Sequence, residues 1–146
     1  MPKIPKDYSK TVIYKLVNKE DYDNANIYIG STANFTQRKC AHKSDCINEN
    51  KKAYNQKKYQ FIRENGGWNE WNMIEVEKYY CVDNNEAKAR EEHWRIHFNA
   101  DLNSRKCFCT VDEEKQYQIQ YQIQYRLDNR DKNIEYQRNY RLNNKN

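Results

Sequence analysis

Two short runs rich in β-branched and aromatic residues, Thr11–Val17 (TVIYKLV) and Ile27–Ser31 (IYIGS), flank a polar stretch, Asn18–Asn26, that carries Asn and Asp. Runs of that kind favour extended backbone, Asn and Asp favour turns, and two strands so joined make an antiparallel hairpin. Gly30 closes the second strand. A helix predicted from Phe35 to Cys46, capped by Thr32 or Asn34, starts directly after it. Its first turns must therefore lie beside the hairpin.

Downstream, Asn48–Asn50 breaks that helix, Ala53–Glu64 is helical again, and Asn65-Gly66-Gly67 is a stop. Trp71–Val82 is a third strand. Asn84 or Asn85 caps a helix from Glu86 to Phe98, and Asp101–Cys109 is loop. From Asp112 the composition changes to Gln, Asn, Tyr and Arg. Tyr121–Asn129 is echoed by Tyr136–Asn144 at an offset of fifteen residues. Tyr117, Tyr121 and Tyr125 recur at helical spacing, although Gln116–Leu127 also alternates as a strand would. Length and the helix-forming Gln and Arg favour helix. The expectation is an α+β domain at 8–110, with a small three-stranded antiparallel sheet flanked by helices, and a C-terminal Tyr/Arg-rich tail at 111–146, helical or partly disordered.

A chain of 146 residues, 37% apolar with thirteen tyrosines, supports one small core and an appendage. It has no apolar run long enough to span a membrane. The basic first ten residues lead into no apolar leader segment, and five irregularly spaced cysteines suit reduced thiols. These features predict an intracellular protein, in cytoplasm or nucleus, and not a secreted one. Between Arg38 and Arg63 eight basic residues face two acidic ones. Lys39, Lys43, Lys51, Lys52, Lys57 and Lys58 in that stretch are the candidate contacts to a nucleic-acid backbone.

Hydrolysis of a phosphodiester needs a general base, a cation for the charge on the equatorial oxygens and a metal ion to polarise the phosphate. The ordered set Tyr14, Tyr28, Arg38, His42, Glu91 and Asn103 supplies all three. Arg38 and His42 are four apart and share a helix face, and an arginine there can fork two hydrogen bonds to a phosphate. Glu91 is the best single carboxylate for a divalent ion, an arrangement that suits magnesium.

Val12-Ile-Tyr14, Tyr28-Ile-Gly30-Ser-Thr, Arg38, His42, Arg90-Glu91 and Asp101-Leu-Asn103 together resemble the GIY-YIG nuclease domain over about residues 10 to 107. The resemblance implies a metal-dependent DNA endonuclease leaving 5′-phosphate and 3′-hydroxyl ends. It implies one Mg2+ (or Mn2+) on Glu91 and Arg38 stabilising the transition state. Tyr14 and Tyr28 would line the site, one of them helping to deprotonate water, with His42 assisting and Asn103 closing the site. Val12 stands where the family has its first glycine. Glu92 follows Glu91 but points about 100° away on a helix.

Other readings accompany this one. A non-catalytic nucleic-acid-binding module would keep the fold without turnover. His93, His97, Cys107 and Cys109 have zinc-compatible chemistry in an unusual order. Trp68, Trp71 and Trp94 are expected in the core. The tail's Tyr/Ile face makes self-association credible. Mobile-element or homing, repair and restriction-like roles are all open, and the low-Gly, Lys/Asn/Tyr-rich composition suggests the A·T-rich genome of a large virus or a phage.

Overall fold

The computed structural model describes residues 2–21, 23 and 25–145. It divides into a unit that ends at Phe108 and a second that begins at Cys109.

The first unit holds one antiparallel sheet of β1 (Val12–Asn18), β2 (Tyr28–Thr32) and β3 (Trp71–Lys78), in the order β2-β1-β3. With β1 in the middle, both of its faces are covered. Tyr14 and Leu16 pack with Cys46, Tyr59, Ile62, Trp71, Met73 and Leu102. Ile13 points the other way, to Ile27, Ile29, Ala100, Val76, Trp94 and Phe98. A strand buried on two sides needs apolar residues on both, which is why Val12–Val17 shows no clean polar alternation.

Helix α1 (Phe35–Ile47) starts at Asn34, whose side chain accepts from the Gln37 N–H at 3.0 Å. Thr32 stays in β2 and braces that cap by accepting from the Asn34 N–H. Helix α2 (Lys57–Glu64) begins four residues later than expected. Residues 51–56 form successive turns instead. Arg63 explains part of this: its guanidinium donates to the carbonyls of Tyr54 and Cys46 at 2.8 Å and lies 3.7 Å over the Tyr54 ring. The Tyr54 carbonyl is thereby held outside a helical ladder. Gly66 and Gly67 end α2 with φ of 94° and 78°, values that favour glycine.

β3 stops at Lys78, short of the expected Val82, and the chain continues by donating from Tyr79 N–H to Thr11 and from Cys81 N–H to Tyr8. The pairing of β1 with β3 jumps from Ile13–Glu77 to Tyr14–Glu75, a bulge at Val76. Helix α3 (Asn84–His97) is capped by Asp83, which accepts from the Glu86 N–H. Asn84 and Asn85, the expected caps, both lie inside it. Glu86 returns the favour by accepting from the Val82 N–H, so two N-terminal donors are satisfied at once.

The second unit is helical: α4 (Val111–Asp128) opens on a Thr110–Glu113 capping box, and α5 (Arg130–Asn143) follows. The strand-like alternation of Gln116–Leu127 therefore lies on a helix, and every residue of α4 is exposed. The sequence echo ends each helix in the same way. Asn129 Nδ2 donates to the Tyr125 carbonyl at 2.8 Å, and Asn144 Nδ2 to the Tyr140 carbonyl at 2.9 Å. Among the described residues no helix is long and apolar enough to cross a membrane.

Candidate active site

Tyr14 sits directly across the strand pair from Gly30. Its ring lies over that glycine so closely that a Cβ there would come within 2.5 Å of the tyrosine Cζ. Two residues of α1, one turn apart, reach the same hydroxyl. Arg38 Nε donates to Tyr14 Oη at 3.2 Å, and His42 Nε2 is hydrogen-bonded to it at 2.7 Å. His42 is fully buried, and its other nitrogen, Nδ1, is hydrogen-bonded to Tyr59 Oη at 2.7 Å. Trp68 lies nearly parallel to the imidazole at 6.4 Å. Tyr28 completes the cluster, 6.4 Å from the Tyr14 ring and 5.8 Å from His42, with Lys58 Nζ 4.2 Å over its face.

Glu91 comes from α3, across the end of β2, where its Oε2 accepts from Ser31 Oγ at 2.7 Å. It lines a cleft of about 320 Å³ with Tyr14, Tyr28, Ser31, Arg38 and Lys88. A second cleft of about 540 Å³ shares Tyr28, Lys88 and Glu91 and adds Lys57, Lys58, Asn103, Arg105 and Cys107. Glu91 thus stands at their junction, and among the described residues it is the carboxylate lining both. Glu92 is turned away. It is buried, takes two hydrogen bonds from Arg95 and accepts from the Cys107 N–H at 2.7 Å, which ties down the loop after α3.

Asn103 lines the second cleft, yet its amide is taken up by backbone. Its Oδ1 accepts from the Ile29 N–H and its Nδ2 donates to the Ile29 carbonyl, both at 2.9 Å. It braces the strand that carries Tyr28 and Gly30.

Burial governs the electrostatics. It holds the hydroxyls of Tyr14 and Tyr28 above the usual phenol range, so both are protonated at neutral pH. Burial, then the charges of Arg38 and Lys58, lowers His42 to about 3, so the ring is neutral. Burial also raises Glu91, against the pull of the Ser31 hydrogen bond. Lys58 falls to about 8, first through burial and then through Arg38.

Of the six lysines expected at a nucleic-acid backbone, Lys57 and Lys58 line a cleft. Lys39, Lys43, Lys51 and Lys52 are exposed and line neither, because α1 and the turns after it point them elsewhere. Lys88, Arg105 and Tyr59 belong to the site or its support without having been singled out in the sequence, Ser31 had been noted only as part of the second motif, and Cys107 only as a zinc-compatible residue. Lys88 was within reach of spacing, three residues before Glu91 on one helix face. Tyr59 had no signal, since its role depends on how α2 packs on α1.

The zinc-compatible set is not assembled. His93 and His97 lie edge-on to Trp94 at 5.3 and 5.1 Å, while the Cys107 backbone is bound to Glu92. All five cysteines are free thiols, and among the described residues no three His, Cys, Asp or Glu side chains are grouped to hold a metal. Trp71 is buried as expected, whereas Trp68 and Trp94 are only half-buried.

A family model described as the GIY-YIG catalytic domain matches residues 10–106. No curated protein and no solved structure matches the chain.

Proposed function

The chain belongs to the GIY-YIG catalytic domain family, a nuclease family whose substrate is nucleic acid, and from that premise we propose that it is a divalent-metal-dependent DNA endonuclease leaving 5′-phosphate and 3′-hydroxyl ends. The observation that carries this reading is convergence. Tyr14 from β1, Tyr28 from β2, Arg38 from α1 and Glu91 from α3 line one cleft, with no other carboxylate beside them among the described residues.

The donor chemistry fits Mg2+ or Mn2+. Glu91 is a single hard oxygen ligand, oriented by Ser31, in a polar cleft with room for the waters that magnesium retains. A divalent ion held there by Glu91 would supply positive charge to the phosphate being cleaved. Arg38 meets the charge that builds on the equatorial oxygens, and Lys88 adds a second cation one turn from Glu91. Tyr14 is the tyrosine suited to move the proton, since it is the one hydrogen-bonded to His42. It takes a proton from the attacking water as it gives its own to the neutral imidazole. Tyr28, with Lys58 over its ring, shapes the wall between the clefts. Lys57, Lys58, Lys88 and Arg105 make the second cleft a path for the flanking phosphates.

Plasmid nicking with magnesium tests this. The wild type is expected to nick and linearise DNA, and Glu91→Gln to bind DNA with little loss while cleaving at least about a hundredfold more slowly. A wild type that binds DNA but cleaves none in magnesium or manganese would leave the non-catalytic binding module as the correct reading.

A further inference from the structure

His42 carries one proton on two ring nitrogens, and both nitrogens are hydrogen-bonded inside the core. Which one bears the proton decides what the ring can do. A hydrogen on Nδ1 leaves a lone pair on Nε2 facing Tyr14, whereas a hydrogen on Nε2 makes the ring a donor to Tyr14 and unable to accept from it.

The chain of contacts does not stop at the imidazole. Tyr59 Oη, which meets Nδ1, also donates to Asp45 Oδ2 at 3.5 Å. The two ends of the chain have fixed polarity. Arg38 Nε at one end can only donate, and the Asp45 carboxylate at the other can only accept. Between them, a single direction satisfies every link. Arg38 donates to Tyr14, Tyr14 to His42 Nε2, His42 Nδ1–H to Tyr59, and Tyr59 to Asp45. Reversing the middle makes Tyr59 donate to His42 and leaves its oxygen facing the carboxylate with no hydrogen between them. His42 and Tyr59 are each at most 1% exposed, so solvent cannot stand in for a missing partner of either.

We propose that Tyr59, held by Asp45, is a positioning residue that fixes His42 as its Nδ1–H tautomer and so keeps Nε2 ready to accept the Tyr14 proton. This rests on the nuclease reading for its purpose. In the step it serves, the water proton moves to Tyr14 Oη while the Tyr14 proton moves to Nε2. The positive charge then lies on an imidazolium whose Nδ1–H faces the Tyr59 oxygen, and it is discharged when the Nε2 proton returns to Tyr14 as Tyr14 gives its own to the leaving 3′-oxygen, which restores the Nδ1–H ring. The logic is that of a base oriented by a third group, with a phenol and a carboxylate in series as the orienter. The neutrality of His42 follows from its burial and from Arg38 and Lys58 beside it.

Imidazole 15N chemical shifts distinguish the two tautomers without reference to activity. The full-length wild type is expected to show His42 with its proton on Nδ1. Tyr59→Phe, which keeps the packed ring, is expected to move the proton toward Nε2 and to lower kcat on the order of tenfold to a hundredfold with KM unchanged. Asp45→Asn, whose amide can donate to Tyr59 and reverse the chain, is expected to shift the tautomer in the same sense. A wild-type ring protonated on Nε2, or a tautomer and kcat indifferent to both substitutions, would overturn the proposal. If the tautomer responds while the wild type cleaves no DNA, the nuclease reading falls and the role of Tyr59 toward His42 stands.

Discussion

Gly30 is held to glycine by its neighbour and not by its own backbone. The positive-φ glycines of this chain are Gly66 and Gly67, while at Gly30 the missing Cβ is the space that the Tyr14 hydroxyl occupies. Gly30→Ala must push that hydroxyl away from Arg38 and His42. Overpacking of this kind costs about 1–3 kcal/mol. Urea unfolding should show that loss, and nicking should slow by at least about tenfold; a variant that cleaves at the wild-type rate would refute the account. Val12 makes the opposite case. It pairs with Thr32 in extended strand, and among the described residues Asn99 is the only non-glycine with positive φ, so nothing there demands the family's glycine. The Tyr-Ile-Gly triplet was legible as text. Its steric reason was not, because Tyr14 and Gly30 meet only after strand pairing. Asn103 was legible too, yet its amide is spent on the Ile29 backbone even as it lines the second cleft.

Two helices deliver the charged groups from opposite sides of β2, α1 with Arg38 and His42 and α3 with Glu91 and Lys88. Cap and breaker residues located both helices to within two residues of their observed ends, and the spacing of Arg38 and His42 within one helix survives folding. The charge run from Arg38 to Arg63 survived less well, because a turn region and two helices distribute its lysines over different faces. The second cleft makes this measurable. Lys57→Ala with Arg105→Ala should weaken DNA binding and reduce the steepness of its salt dependence by about one to two counterions, whereas Lys51→Ala with Lys52→Ala should change it less. Anisotropy titrations across a salt series would show it, and equal slopes for the two pairs would remove the second cleft from the binding path. In the tail, periodicity fitted helix and strand alike, and length with the helix-forming Gln and Arg pointed to helix, but the meaning of the fifteen-residue echo emerged only from the paired Asn129 and Asn144 caps.

For the whole molecule, the buried site should make folding sensitive to acid. His42 is lowered to about 3 in the folded chain from an ordinary 6.5, so between those values the unfolded chain binds the extra proton. Stability is then full above about pH 6.5 and is lost as pH falls toward 3. Glu91, raised by burial, has the opposite sign: its contribution is present below the ordinary carboxylate range and is lost as pH rises through its folded value. It therefore opposes the histidine between the ordinary carboxylate range and its own raised folded value. Unfolding free energies of the wild type from urea titrations should fall between pH 6 and 5 with a slope of up to about 1.4 kcal/mol per unit, and His42→Gln should flatten it; parallel slopes would assign the acid sensitivity elsewhere. One further property of the whole chain follows from the loop after α3. β2 lies at the edge of the sheet, and an open edge recruits strands from other molecules. Here the Ile27 carbonyl takes the Leu102 N–H, and Asn103 occupies both backbone groups of Ile29. Leu102 and Asn103 thus act as a colloidal guard on that border, leaving fewer backbone groups free for a strand of another molecule to pair with.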